Sequence, residues 1–258
     1  MLHQQRNYIQ FLLKASNQHG VHSPFIYLFV TKCLYNKIDK NSWRKFMNYK
    51  QQLLDNKKSI KVIDFGAGSK VFKNDEREVS KIVKVAGISN KKAKLLLKIT
   101  DYFKPKNILE IGTSLGLGTS AFKIGNNNSV ITTLEGCTET SKIAKELFEK
   151  NNFDNIEIIN GDFSKTLSSA INDNKFDTIY FDGNHTKEAT LSYFEKCLPT
   201  IHNESYFIFD DIYWNKGMKE AWSEIKNHPK VTVTVDLFYF GIVFFRKEQA
   251  KEHFKIRV

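Results

Sequence analysis

One stretch near the middle of the chain constrains the fold most: a buried strand that ends in an acid and breaks into a glycine turn. Ile108, Leu109 and Ile111 supply the apolar strand around Glu110. The glycines that follow, which we expect to take positive φ, are Gly112, Gly116 and Gly118. In parallel α/β proteins such a strand, turn and helix bring bare backbone to a nucleotide-like ligand. The stretch predicts a nucleotide-binding α/β fold; the alternative is a turn without a ligand.

The spacing of this turn separates classes of ligand. From Glu110 to Gly118 it is Glu-x-Gly-x-x-x-Gly-x-Gly, which differs from the GxGxxG of most dinucleotide enzymes and resembles the first motif of class I S-adenosylmethionine (SAM) methyltransferases. Short-chain dehydrogenases share a GxxxGxG turn but need a Tyr-x-x-x-Lys pair downstream, and the pair here, Tyr102 and Lys106, lies upstream. The resemblance therefore implies SAM as the cofactor. The turn residues that it implies at SAM are Glu110, Gly112, Thr113, Ser114, Gly116 and Gly118.

The length of the chain, 258 residues, fits one α/β domain and an appendage. We predict a basic, mainly helical cap region over 1–100, a SAM-binding Rossmann-like methyltransferase domain over 101–247 and a tail over 248–258. Residues 1–100 carry 20 Lys/Arg against 6 Asp/Glu, whereas 101–258 carry 19 against 22. A basic region can bind polyanions. However, 34 of the 39 cations are lysines and they are scattered, which favours a solvated surface and makes nucleic acid the less favoured partner.

Cysteine usage and hydropathy indicate a soluble, cytoplasmic protein. Cys33, Cys137 and Cys197 are odd in number and lack CxxC spacing, so they predict neither a disulfide framework nor a zinc site. The longest strongly apolar run, Leu237 to Phe245, is too short to span a bilayer, and no secretory leader is recognised. We therefore expect no membrane partner, and the sequence leaves a homo-oligomer open.

The first hundred residues are predicted to be mainly helical. Apolar residues recur at helical spacing from Tyr8 to Ala15, and Ser23-Pro24 is typical of an N-cap followed by a first-turn proline. Further helices are expected over 43–54, 76–86 and 90–103, with a short strand over 61–65. A second glycine run, Asp64-Phe-Gly-Ala-Gly68, is not expected to bind a nucleotide, because no strand with a terminal acid follows it closely.

From residue 107 onward, strand and helix patterns alternate, which is typical of a doubly wound sheet. Strands are expected near 107–111, 130–134, 156–160, 177–181 and 206–210. Helices are expected near 118–124, 138–151, 164–172, 187–198 and 217–227. The runs 231–237 and 241–246 predict a closing hairpin. The predicted fold is a Rossmann-like, doubly wound, mostly parallel seven-stranded α/β sheet with a C-terminal antiparallel hairpin and an N-terminal helical cap.

Two further positions continue the cofactor pattern. Glu135 ends the strand after the glycine turn, where its carboxylate can accept hydrogen bonds from two ribose hydroxyls, and Gly136 follows it. Asp162 and Phe163 follow the third strand, where the resemblance implies a contact with the adenine edge. Asp162 can equally be the N-cap of the next helix.

Three aspartates end two adjacent strands of the predicted sheet. Asp182 follows the fourth strand, and Asp210 and Asp211 end the fifth. Carboxylates that lie so close together repel each other and raise one another's pKa. A hard divalent cation such as Mg²⁺, bound between them, removes this repulsion. The sequence therefore predicts a metal site of Asp182, Asp210 and Asp211; the alternative is that one aspartate caps a helix and another is solvated.

The same two strand ends carry a closer resemblance. Asp182-Gly-Asn-His185 and Asp210-Asp211 resemble the cation-dependent small-molecule O-methyltransferases of the catechol and macrocin types, over roughly residues 105–246. Catechol-type enzymes usually have Asp-Asn at the fifth strand and a lysine where this chain has His185, so the chain leans to the sugar-methylating macrocin type. The resemblance implies methyl transfer from SAM to a deprotonated oxygen, with Asp182 and His185 as catalytic residues and Asp182 also beside SAM.

His185 suits a general base because the unperturbed pKa of histidine lies at about 6.5. The alternative is a histidine that only hydrogen-bonds its loop. Tyr213 and Trp214 are candidate walls for the acceptor, and His19 and His22 are candidates for a lid over the site.

Three functions stay open on the sequence alone. The favoured one is methyl transfer to an oxygen of a small-molecule acceptor with a divalent cation. The second is an RNA or protein methyltransferase that uses the basic first hundred residues; against it, the fourth strand lacks the Asn/Asp-Pro-Pro-aromatic run of amino-methylating enzymes. The third is a non-catalytic SAM-binding module, which the retained aspartates and His185 argue against.

Overall fold

A computed structural model describes residues 2–63, 75–172 and 174–258 of the chain. The α-helices there are α1 (Leu2–Lys14), α2 (Pro24–Leu28), α3 (Lys40–Asp55), α4 (Val79–Ala86), α5 (Asn90–Phe103), α6 (Leu117–Gly125), α7 (Thr138–Lys150), α8 (Phe163–Ala170), α9 (Lys187–Cys197) and α10 (Lys216–Asn227). The strands are β1 (Ser59–Lys61), β2 (Glu76–Glu78), β3 (Asn107–Ile111), β4 (Val130–Glu135), β5 (Ile156–Asn160), β6 (Thr178–Phe181), β7 (Tyr206–Asp210), β8 (Val233–Asp236), β9 (Phe240–Phe244) and β10 (Glu252–Lys255).

The chain forms two compact units, one continuous and one made of two segments. The continuous unit, Lys37–Asn172, contains the glycine turn and is called the turn unit below. The other comprises Met1–Asn36 and Asp173–Val258, contains the strand-end aspartates, and is called the acid unit.

The turn unit is built around three parallel strands with β4 in the middle, so that Ile111 lies beside Leu134 and Leu134 beside Ile159. The last four residues of β3 are all buried, which explains its continuous apolar sequence. Ser89 caps α5 by accepting the Lys92 N–H. The unit therefore presents the carboxyl ends of β3, β4 and β5 at one edge.

The acid unit has the strand order β6-β7-β9-β8-β10. β6 and β7 are parallel, the β8–β9 hairpin is antiparallel with β9 against β7, and β10 lies parallel to β8. Before them, Ser23 caps α2 as its sequence predicts, and a π-helical turn, Phe29–Leu34, continues that helix. The segment after α1 meets the end of the chain, because the Ser16 N–H donates to the Lys255 carbonyl and the Ser16 carbonyl accepts from the Arg257 N–H.

The predicted α/β class, with mostly parallel strands and a closing hairpin, is confirmed, and each strand and helix expected from residue 107 onward lies within a few residues of its predicted place. Residues 76–78 differ: they were expected to begin a helix, but they form β2 because they pair with β1. A short strand was expected over 61–65, but β1 covers Ser59–Lys61 and shares only Lys61 with that range; residues 64 and 65 lie outside the described residues. The Asp64–Gly68 run lies outside the described residues.

The end of the chain adds a strand that the sequence did not predict, since β10 falls in the expected tail over 248–258. Cys33, Cys137 and Cys197 are buried free thiols, as expected. None of the helices in the described ranges combines the length and the apolar character needed to cross a bilayer. The division into a cap over 1–100 and a domain over 101–247 stays a prediction.

Candidate functional site

The glycine turn after β3 is held by backbone hydrogen bonds, two of them to the neighbouring strand β4. The N–H groups of Gly112 and Thr113 both donate to the Leu134 carbonyl over 3.0 Å, and the Gly116 N–H donates to the Thr113 carbonyl over 2.8 Å. Gly112 and Gly116 have φ of 109° and 75°, as expected, and Ser114 has φ of 48°. The third glycine expected to have positive φ, Gly118, instead lies within the first turn of α6. The chain thus reverses direction over residues 112–116, and helix α6 begins at Leu117.

Gly116 is needed for space as well as for its backbone angle. A Cβ on it would lie 2.5 Å from the Phe148 ring and 2.6 Å from the Tyr49 hydroxyl oxygen. Real side chains do not reach such distances, so any other residue would move the turn or its support. The structure therefore explains this glycine by close packing beneath the turn.

Glu110 is fully buried in β3, below the turn. Its Oε2 accepts hydrogen bonds from the hydroxyls of Thr119 and Thr133, and Thr133 lies 2.6 Å from the hydroxyl of Thr113 in the turn. Burial raises the pKa of Glu110 to about 7 against the lowering effect of the two threonines. Among the described residues, Glu110 Oε1 has no hydrogen-bond partner. Glu110 thus supports the turn from inside, and its predicted contact with SAM stays a prediction.

Glu135 lies at the carboxyl end of β4 and is hydrogen-bonded to the turn. Its Oε2 accepts the Ser114 N–H over 2.6 Å, and its Oε1 accepts the Cys137 N–H over 2.8 Å. Burial raises its pKa, and these backbone donors partly offset that rise. Because each carboxylate oxygen has a second lone pair, both can still accept from a pair of hydroxyls. Gly136, the next residue, is partly buried at the same edge.

Asp162 has the capping role that its sequence left open. Its Oδ1 accepts the Ser164 N–H over 2.8 Å at the start of α8, and Phe163 is the first residue of that helix. Gly161, just before it, has φ of 143°. Contacts of Asp162 and Phe163 with adenine stay predictions.

In the acid unit, the register of two parallel strands brings two aspartates together. Phe181 pairs with Phe209, so the next residues along, Asp182 and Asp210, lie side by side. Asp182, His185 and Asp210 each offer a ligand atom within 4.8 Å of the others, and we call these three residues the acid cluster. Asp210 is buried, whereas Asp182 and His185 are partly exposed. This arrangement matches the spacing of a divalent-cation site.

The acid cluster differs from the predicted metal site in one member. Among the residues that the structure describes, the group with metal-ligand spacing includes His185 and does not include Asp211. Asp211 follows the last residue of β7 and has φ of 51°. Its N–H donates to the Tyr239 carbonyl over 3.2 Å, and its carbonyl accepts the Trp214 N–H over 2.8 Å. The extended backbone thus ends at Asp210, and Asp211 belongs to the loop.

His185 is held through its backbone. Asn215 donates its side-chain N–H to the His185 carbonyl over 3.0 Å and caps α10 by accepting the Met218 N–H. The imidazole Nε2 lies 3.7 Å from Asp182 Oδ1, which is longer than a hydrogen bond. The histidine is thus near the aspartate and not bonded to it through that contact.

The other candidate positions have mixed outcomes. Tyr213, expected as an acceptor wall, is buried, and its hydroxyl donates to Asp236 over 2.5 Å; Trp214 is 41% exposed. Burial raises the pKa of Tyr213, and the Asp236 charge adds to the rise. His19 and His22 are both exposed, and their role in a lid stays a prediction.

Sequence reasoning missed Tyr49 and Asn215. Tyr49 lies in the predicted appendage, far from the turn in sequence, so no local pattern links the two. Asn215 precedes an expected helix, which is a recognisable N-cap signal, but its bond to His185 depends on tertiary structure.

Comparisons with known proteins bear on this site. The sequence model of a family described as "Methyltransferase domain" matches residues 109–212, which contain the glycine turn, Glu135, Asp162 and the strand-end aspartates. No curated protein sequence is significantly similar to this chain.

Solved structures share the fold at low sequence identity. The SAH-bound methyltransferase PaMTH1 of Podospora anserina is 15% identical, with a TM-score of 0.60 over 88% of this chain and 97% of that one. The O-methyltransferase of Bacillus cereus, in complex with SAH, is 19% identical, with a TM-score of 0.54 over 85% and 97%. The O-methyltransferase TomG of Streptomyces achromogenes, involved in tomaymycin synthesis and bound to SAM, is 13% identical, with a TM-score of 0.56 over 86% and 95%.

Proposed function

We propose that this chain, in which residues 109–212 match a methyltransferase-domain model and whose fold is similar to that of an SAH-bound methyltransferase, is a class I, SAM-dependent methyltransferase. It transfers the SAM methyl group to an oxygen of a small-molecule acceptor with the help of a divalent cation. The acid cluster carries this proposal, since two carboxylates that could hold a cation, Asp182 and Asp210, lie within 4.8 Å of each other and of an imidazole that could accept a proton. The O-methyltransferases of similar fold support oxygen as the target atom.

We assign SAM to the turn unit. Glu135 is the acceptor for the ribose hydroxyls, because its two oxygens are already aligned by the N–H groups of Ser114 and Cys137. The turn around Gly116 offers bare backbone, and α6 begins directly after it, so its first N–H groups favour the cofactor carboxylate. The tight packing beneath Gly116 fits a turn that is formed before the cofactor arrives.

We assign the cation to Asp182 and Asp210. Two carboxylates, one of them buried, form the oxygen-rich donor set that Mg²⁺ prefers, and the neighbouring imidazole also suits Mn²⁺. A bound cation would lower the pKa of an acceptor hydroxyl and orient its oxygen. The predicted third ligand, Asp211, is retained as a hypothesis that substitution can test.

His185 is proposed as the group that takes the acceptor proton at Nε2. It lies within the acid cluster, it is partly exposed, and its backbone is fixed by Asn215, so its ring can face a substrate hydroxyl without relying on the aspartate. A neutral imidazole is the right form to accept a proton near neutral pH.

Two measurements test the function in order. Calorimetric titration of the chain with SAH should show stoichiometric binding, and absence of binding would overturn the cofactor assignment. Methylation of a panel of sugars and phenols, with Mg²⁺ or Mn²⁺ against a chelator, should then show cation-stimulated transfer to oxygen.

The two alternatives predict other results. An RNA or protein methyltransferase should label macromolecules and, for RNA, associate in a strongly salt-dependent way, because phosphate contacts release counterions. A non-catalytic module should bind SAH and transfer no methyl group to any of these acceptors.

A further inference from the structure

We propose that Tyr49, on helix α3 of the turn unit, is a positioning residue of the cofactor turn: its hydroxyl holds the Leu115 peptide in the conformation that receives SAM. The inference rests on the proposed cofactor site and extends it to a helix in the predicted N-terminal cap region.

The contact is a direct hydrogen bond between two buried residues. Tyr49 is fully buried, and its hydroxyl donates a hydrogen bond to the Leu115 carbonyl over 3.0 Å. Leu115 lies between Ser114 and Gly116, the two left-handed residues of the turn, with φ of 48° and 75°. The bond therefore acts at the tightest point of the reversal, where the backbone has the fewest alternatives.

The Tyr49 hydroxyl packs so close to residue 116 that only glycine fits there. A Cβ on Gly116 would lie 2.6 Å from the Tyr49 oxygen. The Tyr49 ring stacks with the rings of Phe148 and Phe153, at centroid distances of 6.2 and 5.8 Å. Burial raises the pKa of Tyr49 well above its ordinary value, so the hydroxyl is a donor at neutral pH.

Helix α3 has other anchors, so removal of the hydroxyl alone should leave it in place. Gln52 donates to the Asn151 side chain over 3.1 Å at the end of α7. Lys50 donates to the Asn90 side chain over 2.8 Å at the start of α5. Of these three contacts, the Tyr49 bond alone acts on the turn.

Loss of the hydroxyl should act on cofactor binding. Leu115 is buried, with 2% of its surface exposed, so water cannot readily replace the lost donor to its carbonyl. The turn would then populate conformations that SAM must reorder on binding. The KM for SAM should rise while kcat stays unchanged, because the acceptor machinery is not touched.

The test compares two variants of the same helix. Tyr49→Phe removes the oxygen and keeps the ring, and we expect the Kd for SAH by calorimetry to rise roughly fivefold to tenfold, with Tm lower by a few degrees because the buried Leu115 carbonyl loses its donor. Amide exchange at Ser114 and Gly116 should become faster. Gln52→Met is the matched control: it removes an α3 hydrogen bond away from the turn and should lower Tm with SAH affinity unchanged.

Two results would overturn the proposal while leaving the cofactor assignment intact. One is a Tyr49→Phe protein that binds SAH as tightly as the unaltered chain. The other is a loss of affinity that follows Tm equally in both variants, which would make Tyr49 merely structural. If the unaltered chain fails to bind SAH, the cofactor assignment itself fails first, and this proposal with it.

Discussion

The glycine turn and the acid cluster both lie at the carboxyl ends of parallel strands, yet they are held in opposite ways. The turn is closed by backbone bonds, and the carboxyl group beneath it, Glu110, is fully buried. In the acid cluster the ligand atoms are on side chains, and those of Asp182 and His185 are 26% and 24% exposed. The first site is held by backbone bonds and buried packing, whereas two of the three side chains of the second are partly exposed to solvent.

Because the two sites are held differently, effects on methyl transfer and effects on cofactor binding should be separable by substitution. Substitutions in the acid cluster should affect chemistry and spare cofactor binding, and substitutions in the turn should do the reverse.

The largest effect is expected in the acid cluster. Asp210→Asn or Asp182→Asn should lower cation-stimulated turnover roughly 100-fold or more, because a bound cation contributes several kcal/mol through its charge. Asp211→Asn should cost much less, since Asp211 lies outside the cluster. Initial rates across a Mg²⁺ titration measure this, with SAH affinity as the control. Equal losses for Asp210→Asn and Asp211→Asn would contradict the structural grouping, and a loss of SAH binding would remove the contrast between the sites.

The next effect is expected at Gly116. Alanine there must adopt a left-handed φ of 75° and would collide with Phe148 and Tyr49, so Gly116→Ala should lower the free energy of unfolding by about 2–4 kcal/mol and abolish measurable SAH binding. Gly125→Ala is the matched control, because its Cβ would lie 2.7 Å from the Thr100 side chain at the other end of α6, away from the turn. It should also lower stability, but SAH should still bind. Urea unfolding and calorimetry measure both variants, and a loss of SAH binding in both would mean that lower stability, and not the shape of the turn, prevents binding.

A pH-dependent effect is expected at Glu110. Its pKa is raised from 4.5 to about 7 in the folded chain, so the folded state keeps a proton that the unfolded state loses between these values. The resulting stability is fully present below pH 4.5 and falls by about 3 kcal/mol as the pH rises to 7. Glu110→Gln should remove this pH dependence, so that the free energy of unfolding of the variant rises relative to that of the unaltered chain between pH 5 and pH 8. If urea unfolding gives the same difference in stability between the variant and the unaltered chain at pH 5 and at pH 8, Glu110 ionises normally and the prediction is wrong.

The smallest effect is expected at Asp162. Asp162→Ala removes the cap of α8 and should cost about 1 kcal/mol of stability, while Asp162→Asn keeps a capping oxygen and should cost less. If Asp162 also contacts adenine, SAH affinity should fall in both variants. An affinity that stays constant in both would leave Asp162 with the capping role alone.

The elements from β3 to β9 could be predicted because buried strands have continuous apolar runs and the turns between them are marked by glycine and capping residues. The class of cofactor domain followed from the same stretch. β10 was not predictable in this way, since its sequence, Glu-His-Phe-Lys, is polar and partly exposed and it becomes a strand only by pairing with β8.

The acid cluster shows where sequence reasoning stops. Two consecutive aspartates look equivalent in a sequence, but β7 ends at Asp210, and the left-handed φ of 51° at Asp211 turns the backbone away from the strand. His185 enters the cluster after Asn184, which has the same φ of 51° and folds the loop back. Such positive φ values at residues other than glycine depend on tertiary context and leave no signal in the spacing.

The bonds between Ser16 and the segment around Lys255 affect the order in which the chain can fold during synthesis. The turn unit is continuous, so all its own residues are present once residue 172 has left the ribosome. The first 36 residues leave earlier, and the residues with which they form the acid unit are made after the turn unit. With translation at about 5–20 residues per second, we expect the cofactor turn to exist, and to bind SAM, seconds before the acid unit is complete.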